Sequence, residues 1–425
     1  MSRLISWEDC LARPSEGEKF FYLKDHLVGV RKKTRSFFNK INRAKGATEG
    51  CTEQWLLELA AICHDLVKAH HDWQRYVRGK SSHRPHHAEG GAILFAYLAY
   101  HYLQHKGLWE DDQYLWLLIT RDLADHHGTL KGFVQNKDLY TDAFFKMDME
   151  GLANWLCEQF PELGECGVTI DAQSIADWQV EYPDIVDEVI DNLYDKQWAE
   201  EQSLDELMDR LQQWRMLTTV IMASDRFDIE PVADDRFKPT DWQAVEESIQ
   251  HFCLSGKAHP LAKIRSQAQE SILEQWARNK DHSFYVLEMP TGYGKTITAL
   301  KLAAAIAQDR QLSKIIYVAP YLSILEQNAE DLEKASGHKP LQHHSMAMLL
   351  EGGPRVNQGK QAYQQEGKLL DENEASDQMS DLSVQSWAER IVCTSFVQWM
   401  KAIFPRRAQE TLRRIYLQDA VVIID

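Results

Sequence analysis

FYVLEMPTGYGKTITALKLAAAIA, residues 284–307, reads as an apolar strand, a glycine turn and an amphipathic helix in direct succession. PTGYGKT, residues 290–296, is the turn. Gly292 and Gly294 let the backbone bend so that its N–H groups face a phosphate, Lys295 adds a point charge, and Thr296 offers a hydroxyl to Mg2+. A strand before the turn and a helix after it are the context that gives such a match meaning. Met289 stands where the strict G-x-x-x-x-G-K-[ST] pattern has its first glycine. The bland alternative is a glycine turn with an exposed lysine.

Further strands are expected downstream at SKIIYVAP (313–320), RIVCTSF (390–396) and AVVIID (420–425), with helical patterns between several of them. That alternation predicts a parallel sheet with helices on its faces. Residues 351–386 lack apolar periodicity and read as a mobile insertion. Upstream the character is different. TEQWLLELAAICHDLVKAHHDWQRYV (52–77) and GGAILFAYLAYHYLQH (90–105) space their apolar residues by three and four, and further helices are expected at 115–125, 141–159 and 203–222. The expected architecture is an all-α domain over 1–245, followed by an α/β parallel-sheet domain over 246–425.

The chain has 425 residues and a net charge of 47 − 64 = −17, which excludes a protein that coats nucleic acid through overall basicity. The longest apolar run, residues 91–103, is broken by Tyr97, Tyr100 and His101 and falls short of the roughly 20 residues a membrane span needs. Glu8 and Asp9 stand where a signal peptide would be apolar, so a cytoplasmic location without membrane contact is expected. Seven scattered cysteines without a C-x-x-C pair argue against a disulfide framework and against a cysteine zinc site.

Of 17 histidines, 11 precede residue 128. His64-Asp65 on a helical pattern places an imidazole and a carboxylate side by side, and their company is His26, His87, His126-His127 and Asp225. Nitrogen and oxygen donors without thiolates suit a hard or borderline divalent ion. A positioned general base gives roughly 10²–10⁴-fold, whereas a metal lowers the pKa of bound water from about 15.7 to about 7. Phosphodiester cleavage needs the larger effect. His70, His71, His83, His86, His101 and His105 read as ordinary surface or core residues, and His343 and His344 as structural.

The turn and its surroundings resemble superfamily 2 helicases, and the histidine–aspartate set resembles the HD superfamily of metal-dependent phosphohydrolases. In combination, HDLVKA, DWQRYV, HHAEGGA, HHGTL, SDRF, MPTGYGKT, YVAPYLSILEQ and QHHS are similar to the CRISPR-associated nuclease-helicases of type I interference systems. That resemblance implies two divalent ions of uncertain identity (Mn, Fe, Co, Ni, Mg or Zn). One is held by His26, His64, Asp65 and Asp225, the other by Asp65, His87, His126 and His127, with Asp65 bridging. Asp65 and Lys68 would be catalytic, Lys68 facing the scissile phosphate. Val67 departs from the family's H-D-x-G-K and narrows the space beside the metals.

ATP and Mg2+ would lie on Thr291, Gly292, Gly294, Lys295, Thr296 and Asp425, with residues 315–327 and 390–396 in the place of segments that touch the DNA backbone. The resemblance places Asp425 inside the first of two lobes, so nucleotide binding is expected without processive unwinding.

The implied function is metal-dependent cleavage of single-stranded DNA, the displaced strand of an R-loop opened by the Cascade surveillance complex with its CRISPR RNA. Two alternatives stand beside it: a small-nucleotide HD phosphohydrolase with an ATP-sensing domain, and a non-catalytic truncated product that occupies Cascade. Residues 31–45 hold seven basic and no acidic residues around Phe37 and Phe38, a pattern that fits either a strand-binding surface or a solvated helix face. Residues 405–414 are a second basic candidate.

Overall fold

The computed structural model describes residues 4–15, 17, 19–42, 51–131, 139–198, 203–229, 240–255, 260–343, 382, 385–417 and 419–425. Most of the expected insertion at 351–386 lies outside them, as does His344. The chain divides into one unit of Met1–Pro231 with Arg406–Thr411 and another of Val232–Pro405 with Leu412–Asp425. The division falls before the 245/246 boundary expected from composition, because Trp242, Val245 and Ile249 pack in the core of the second unit.

The first unit is helical: α1 (Leu23–Asn42), α2 (Thr52–Cys63), α3 (His71–Val77), α4 (Ala88–Lys106), α5 (Trp109–Ala124), α6 (Met149–Gln159), α7 (Pro161–Glu165), α8 (Ala172–Trp198) and α9 (Leu204–Ile229). α2 and α4 are apolar nearly all round, which suits elements covered on every side. Leu56, Leu57, Leu59 and Ile62 of α2 and the run Ala92–Ala96 of α4 are inaccessible to solvent. Trp116 of α5 lies in the same core, its indole N–H donating to the Ala96 carbonyl at 2.9 Å. No described helix is long and apolar enough to cross a membrane.

His70 caps α3. Its Nδ1 accepts from the backbone N–H groups of Asp72 (3.2 Å) and Trp73 (3.4 Å). Burial pushes its pKa down to about 4, against the opposing pull of Asp72. The folded value lies below the unfolded value of about 6.5. The cap's contribution is therefore complete above pH 6.5 and is lost as pH falls toward 4. His70→Asn keeps an acceptor at the cap and cannot ionise in this range. Urea unfolding is expected to show a stability loss between pH 6.5 and 4 that is smaller in His70→Asn than in the wild type by about 2–3 kcal/mol. Parallel profiles for the two proteins would remove His70 from the account.

In the second unit, α10 (Trp242–Ser255), α11 (Ala262–Arg278), α12 (Lys295–Asp309) and α13 (Leu322–Ser336) accompany a four-stranded parallel sheet of order β2-β3-β1-β4. The strands are β1 (Lys314–Ala319), β2 (Leu341–His343), β3 (Ile391–Ser395) and β4 (Ala420–Ile424). β1 is central, with Ile315 opposite both Ile391 and Val421. Its side chains alternate between faces. Ile315, Tyr317 and Ala319 pack with α10, α12 and α13, whereas Ile316 and Val318 pack with Trp387, Val392 and Ala402.

One expected strand is absent. Residues 284–289 form no strand; Phe284 is 95% and Val286 89% exposed. An apolar run becomes a strand only where a neighbour's ladder accepts its backbone. Here the Tyr285 hydroxyl instead donates to the carbonyls of Asn279 (3.0 Å) and Lys280 (3.2 Å) beyond the end of α11. β2, which was not expected, has only three residues.

Candidate metal centre

α2 does not continue through the His-Asp pair as its apolar periodicity predicts. His64 is its C-cap, Asp65 leaves the helical region at φ −115°, ψ 1°, and Leu66–Ala69 form a 3₁₀ turn. In a 3₁₀ turn, residues i and i+3 eclipse. Lys68 therefore stands over Asp65, with Nζ 2.8 Å from Oδ2.

Around Asp65, His26 comes from α1, Asp225 from α9, His87 from the N-cap of α4, and His126 and His127 from the turn after α5. Asp65 Oδ2 lies 3.3 Å from His26 Nε2 and 3.4 Å from His64 Nε2. Asp225 Oδ1 closes that group at 3.5 Å from His26 Nε2 and 3.4 Å from His64 Nε2. The other oxygen, Oδ1, lies 3.0 Å from His87 Nε2 and 3.8 Å from His126 Nε2, and His87 and His127 face each other Nε2 to Nε2 at 2.9 Å. Within each group the donor atoms all lie within 4.8 Å of one another. The structure thus brings together all seven side chains that the resemblance grouped, in the same two sets.

Two imidazoles are aimed by hydrogen bonds along their own helices. His64 Nδ1 donates to the Ala61 carbonyl at 2.7 Å, and His126 Nδ1 to that of Leu123 at 2.6 Å. Those carbonyls belong to helix C-terminal turns, where orphan acceptors are available. Donation from Nδ1 directs Nε2 inward. His64 Nε2, His126 Nε2 and Asp65 Oδ1 are buried without a hydrogen bond.

The charges follow from burial and proximity. Burial alone would lower the pKa of His64, but Asp65 and Asp225 overcome it and raise the value to about 10. In the second group burial prevails, holding His87 at about 4, and burial together with His126 and His87 keeps His127 well below the usual imidazole range. The Asp65 carboxyl is held well below the carboxylate range although burial opposes this, chiefly by Lys68 and His64.

Val67 is accommodated by Gly90. A Cβ at residue 90 would lie 2.8 Å from a Val67 methyl, so the two positions are complementary in volume. Two neighbours of the centre escaped the sequence reading. The Trp73 ring meets His87 edge-on, centroids 4.7 Å apart, and carries Lys68 Nζ 4.9 Å above it. Asp228 Oδ2 lies 3.0 Å from His26 Nδ1. The signal for Asp228 was its position three residues after Asp225, on the same helix face.

The glycine turn at residues 290–296 lies in the second unit. Gly292 (φ 86°) and Gly294 (φ 81°) adopt the left-handed conformation that favours glycine, and α12 starts at Lys295. Lys295 pairs with Asp425, which also accepts from the Tyr317 hydroxyl at 2.6 Å. Thr291 is exposed, and Thr296 is half-buried beside Gly294.

Of the basic stretch at 31–45, residues 43–45 lie outside the described residues, and the rest belongs to α1. Phe37 and Phe38 are buried, and Arg31 and Arg35 pair with Glu58 at 2.8 and 2.7 Å. In the second basic segment Arg413 and Arg414 are buried, donating to Gln398 and to the Ile403 carbonyl, whereas Arg406 and Arg407 are exposed.

Residues 260–425 match the family model of the type III restriction enzyme, res subunit, and a domain of that family occupies this part of the chain. No curated protein matches the sequence. Among solved structures, T. fusca Cas3 aligns at 14% identity and a TM-score of 0.48, covering 98% of this chain and 46% of that one. The T. fusca Cas3–AMPPNP crystal structure aligns with the same identity and coverage at a TM-score of 0.44. The chain spans about half the length of the structures it matches.

Proposed function

We propose that the first unit hydrolyses phosphodiester bonds in single-stranded DNA with two divalent ions, and that the second binds ATP with Mg2+ as the first lobe of a helicase. The observation that carries this reading is the split use of Asp65, one carboxylate oxygen turned to each ligand group. The groups fit divalent ions: three buried donor atoms lack hydrogen bonds, and the donors are imidazole and carboxylate throughout. His26, His64, Asp65 and Asp225 would hold one ion, and Asp65, His87, His126 and His127 the other. Mn, Fe, Co, Ni, Mg and Zn all suit such donors. Bound there, a metal pair supplies a nucleophile at neutral pH and charge to stabilise both the attacking and the leaving oxygen.

Lys68 keeps a cation beside Asp65, where charge on a cleaved phosphate would develop. Asp65 orients it, and the Trp73 face shields it from solvent. In the second unit Thr291, Gly292, Gly294, Lys295, Thr296 and Asp425 would form the nucleotide site. The motif set further supports a place in type I CRISPR defence in the cytoplasm, with the displaced R-loop strand as substrate and Cascade with its CRISPR RNA as partner.

The purified protein is expected to nick circular single-stranded DNA with Mn2+, to stop when EDTA is added, and to leave free deoxynucleotides intact. Hydrolysis of free nucleotides with the circle untouched would replace this reading by that of a small-nucleotide phosphohydrolase.

A further inference from the structure

We propose that Asp228 is the positioning residue of the first ligand group, fixing the His26 ring by accepting its Nδ1–H; the inference rests on the metal reading above. His64 and His126 stand at helix C-terminal ends, where the carbonyl three residues back has no i+4 helix bond to make and accepts from the ring. His26 has no such carbonyl. It lies in the first turn of α1, where the carbonyls three and four residues earlier are needed by the helix or its approach, and Tyr22 already accepts the His26 backbone N–H at 3.2 Å. An acceptor must come from another element, and α9 supplies it: Asp228 Oδ2 lies 3.0 Å from His26 Nδ1, with side-chain exposures of 20% and 11%. A carboxylate accepts only, so Nδ1 carries the hydrogen and Nε2 faces Asp65 and Asp225. α9 thus presents a ligand, Asp225, and one turn later the group that orients a second ligand.

Gly29 gives an independent indication. It lies inside α1, where glycine is less favourable than alanine. A Cβ there would lie 2.9 Å from Asp228 Cγ and 3.0 Å from Oδ2. The space a side chain would fill is the space the carboxylate uses. Alanine at residue 29 would therefore push the carboxylate off His26 while leaving both residues in the chain.

Carboxylate partners of this kind raise the basicity of a ligating imidazole as well as orienting it, and their loss costs about 10–100-fold in metal affinity. The test is Mn2+ titration calorimetry on the full chain in a His127→Ala background, which leaves the first group to be read. Asp228→Ala and Gly29→Ala are each expected to raise the dissociation constant about 10–100-fold, and Asp228→Asn by less, since its amide oxygen can still accept. The melting temperature of the metal-free Gly29→Ala protein should equal or exceed that of its parent, which separates positioning from damage to the fold. Unchanged affinity in Gly29→Ala and Asp228→Ala overturns the role of Asp228 alone. A parent that takes up no Mn2+ overturns the metal reading and this inference together.

Discussion

Asp65→Asn is expected to bind neither ion and to cut single-stranded DNA at least about 10⁴-fold more slowly than the wild type, because the means of lowering the pKa of water from about 15.7 to about 7 goes with both metals. His26→Ala and His127→Ala should each weaken one site and leave the other. The difference follows from the two oxygens: Oδ2 serves one group and Oδ1 the other, whereas every other ligand serves one group only. Asparagine keeps the shape but leaves the buried Lys68 ammonium without the carboxylate that lies 2.8 Å from it. Removing one partner of such a buried pair costs about 3–5 kcal/mol, so the metal count must be taken on folded protein. Elemental analysis after dialysis, with circular dichroism on the same samples, checks the expectation. Two retained ions in Asp65→Asn would refute the bridging arrangement.

Gly91→Ala is expected to lower stability by about 2–3 kcal/mol and DNA cleavage by about 100-fold, although residue 91 holds no metal. A Cβ at this position would stand 2.5 Å from the His64 carbonyl oxygen and 3.0 Å from its carbonyl carbon. α4 can approach the end of α2 this closely only because residue 91 has no side chain. The obstacle is backbone, which cannot swing aside, so the strain moves His64 itself. A displacement of about 1 Å in a catalytic centre costs about 10²-fold. The melting temperature should fall by about 4–12 °C for a unit of this size. Gly164→Ala is the control: nothing lies within 4 Å of its added Cβ, and thermal melts of that variant should stay near the wild type. Equal melting temperatures for Gly91→Ala and Gly164→Ala would show that the approach is looser than the geometry implies.

How much of this was legible depended on whether the cause was local. β1 and β3 are covered on both faces and read as continuous apolar runs, and β4, half-buried at the end of the sheet order, lies where the same kind of run predicts it. FYVLEM has the same appearance, yet its state is decided by a ladder that the run itself does not contain. LQH, the whole of β2, is too short and too polar to announce a strand. Among the site residues, His64-Asp65 and His126-His127 could be picked out because adjacency is a local signal. The helix break at Asp65 could not, since neither glycine nor proline marks it.

The pairing of Gly90 with Val67, and the approach of Gly91 to α2, depend on residues distant in sequence. In the basic stretch at 31–45 the decisive pattern was present but subordinate to charge. Leu27, Val30, Thr34, Phe37 and Phe38 are buried at helical spacing, which places both aromatic rings inside. Arg31 and Arg35 turn toward the same neighbour, Glu58.

The bonds from His64 to Ala61 and from His126 to Leu123 make the last turns of α2 and α5 part of the ligand apparatus. Fraying of either terminus would release the carbonyl and let the ring rotate away. Loosening of either helix end would then release the ion that its own ring helps to hold, and because Asp65 belongs to both groups the ion pair would act as a clasp on the two helix ends together.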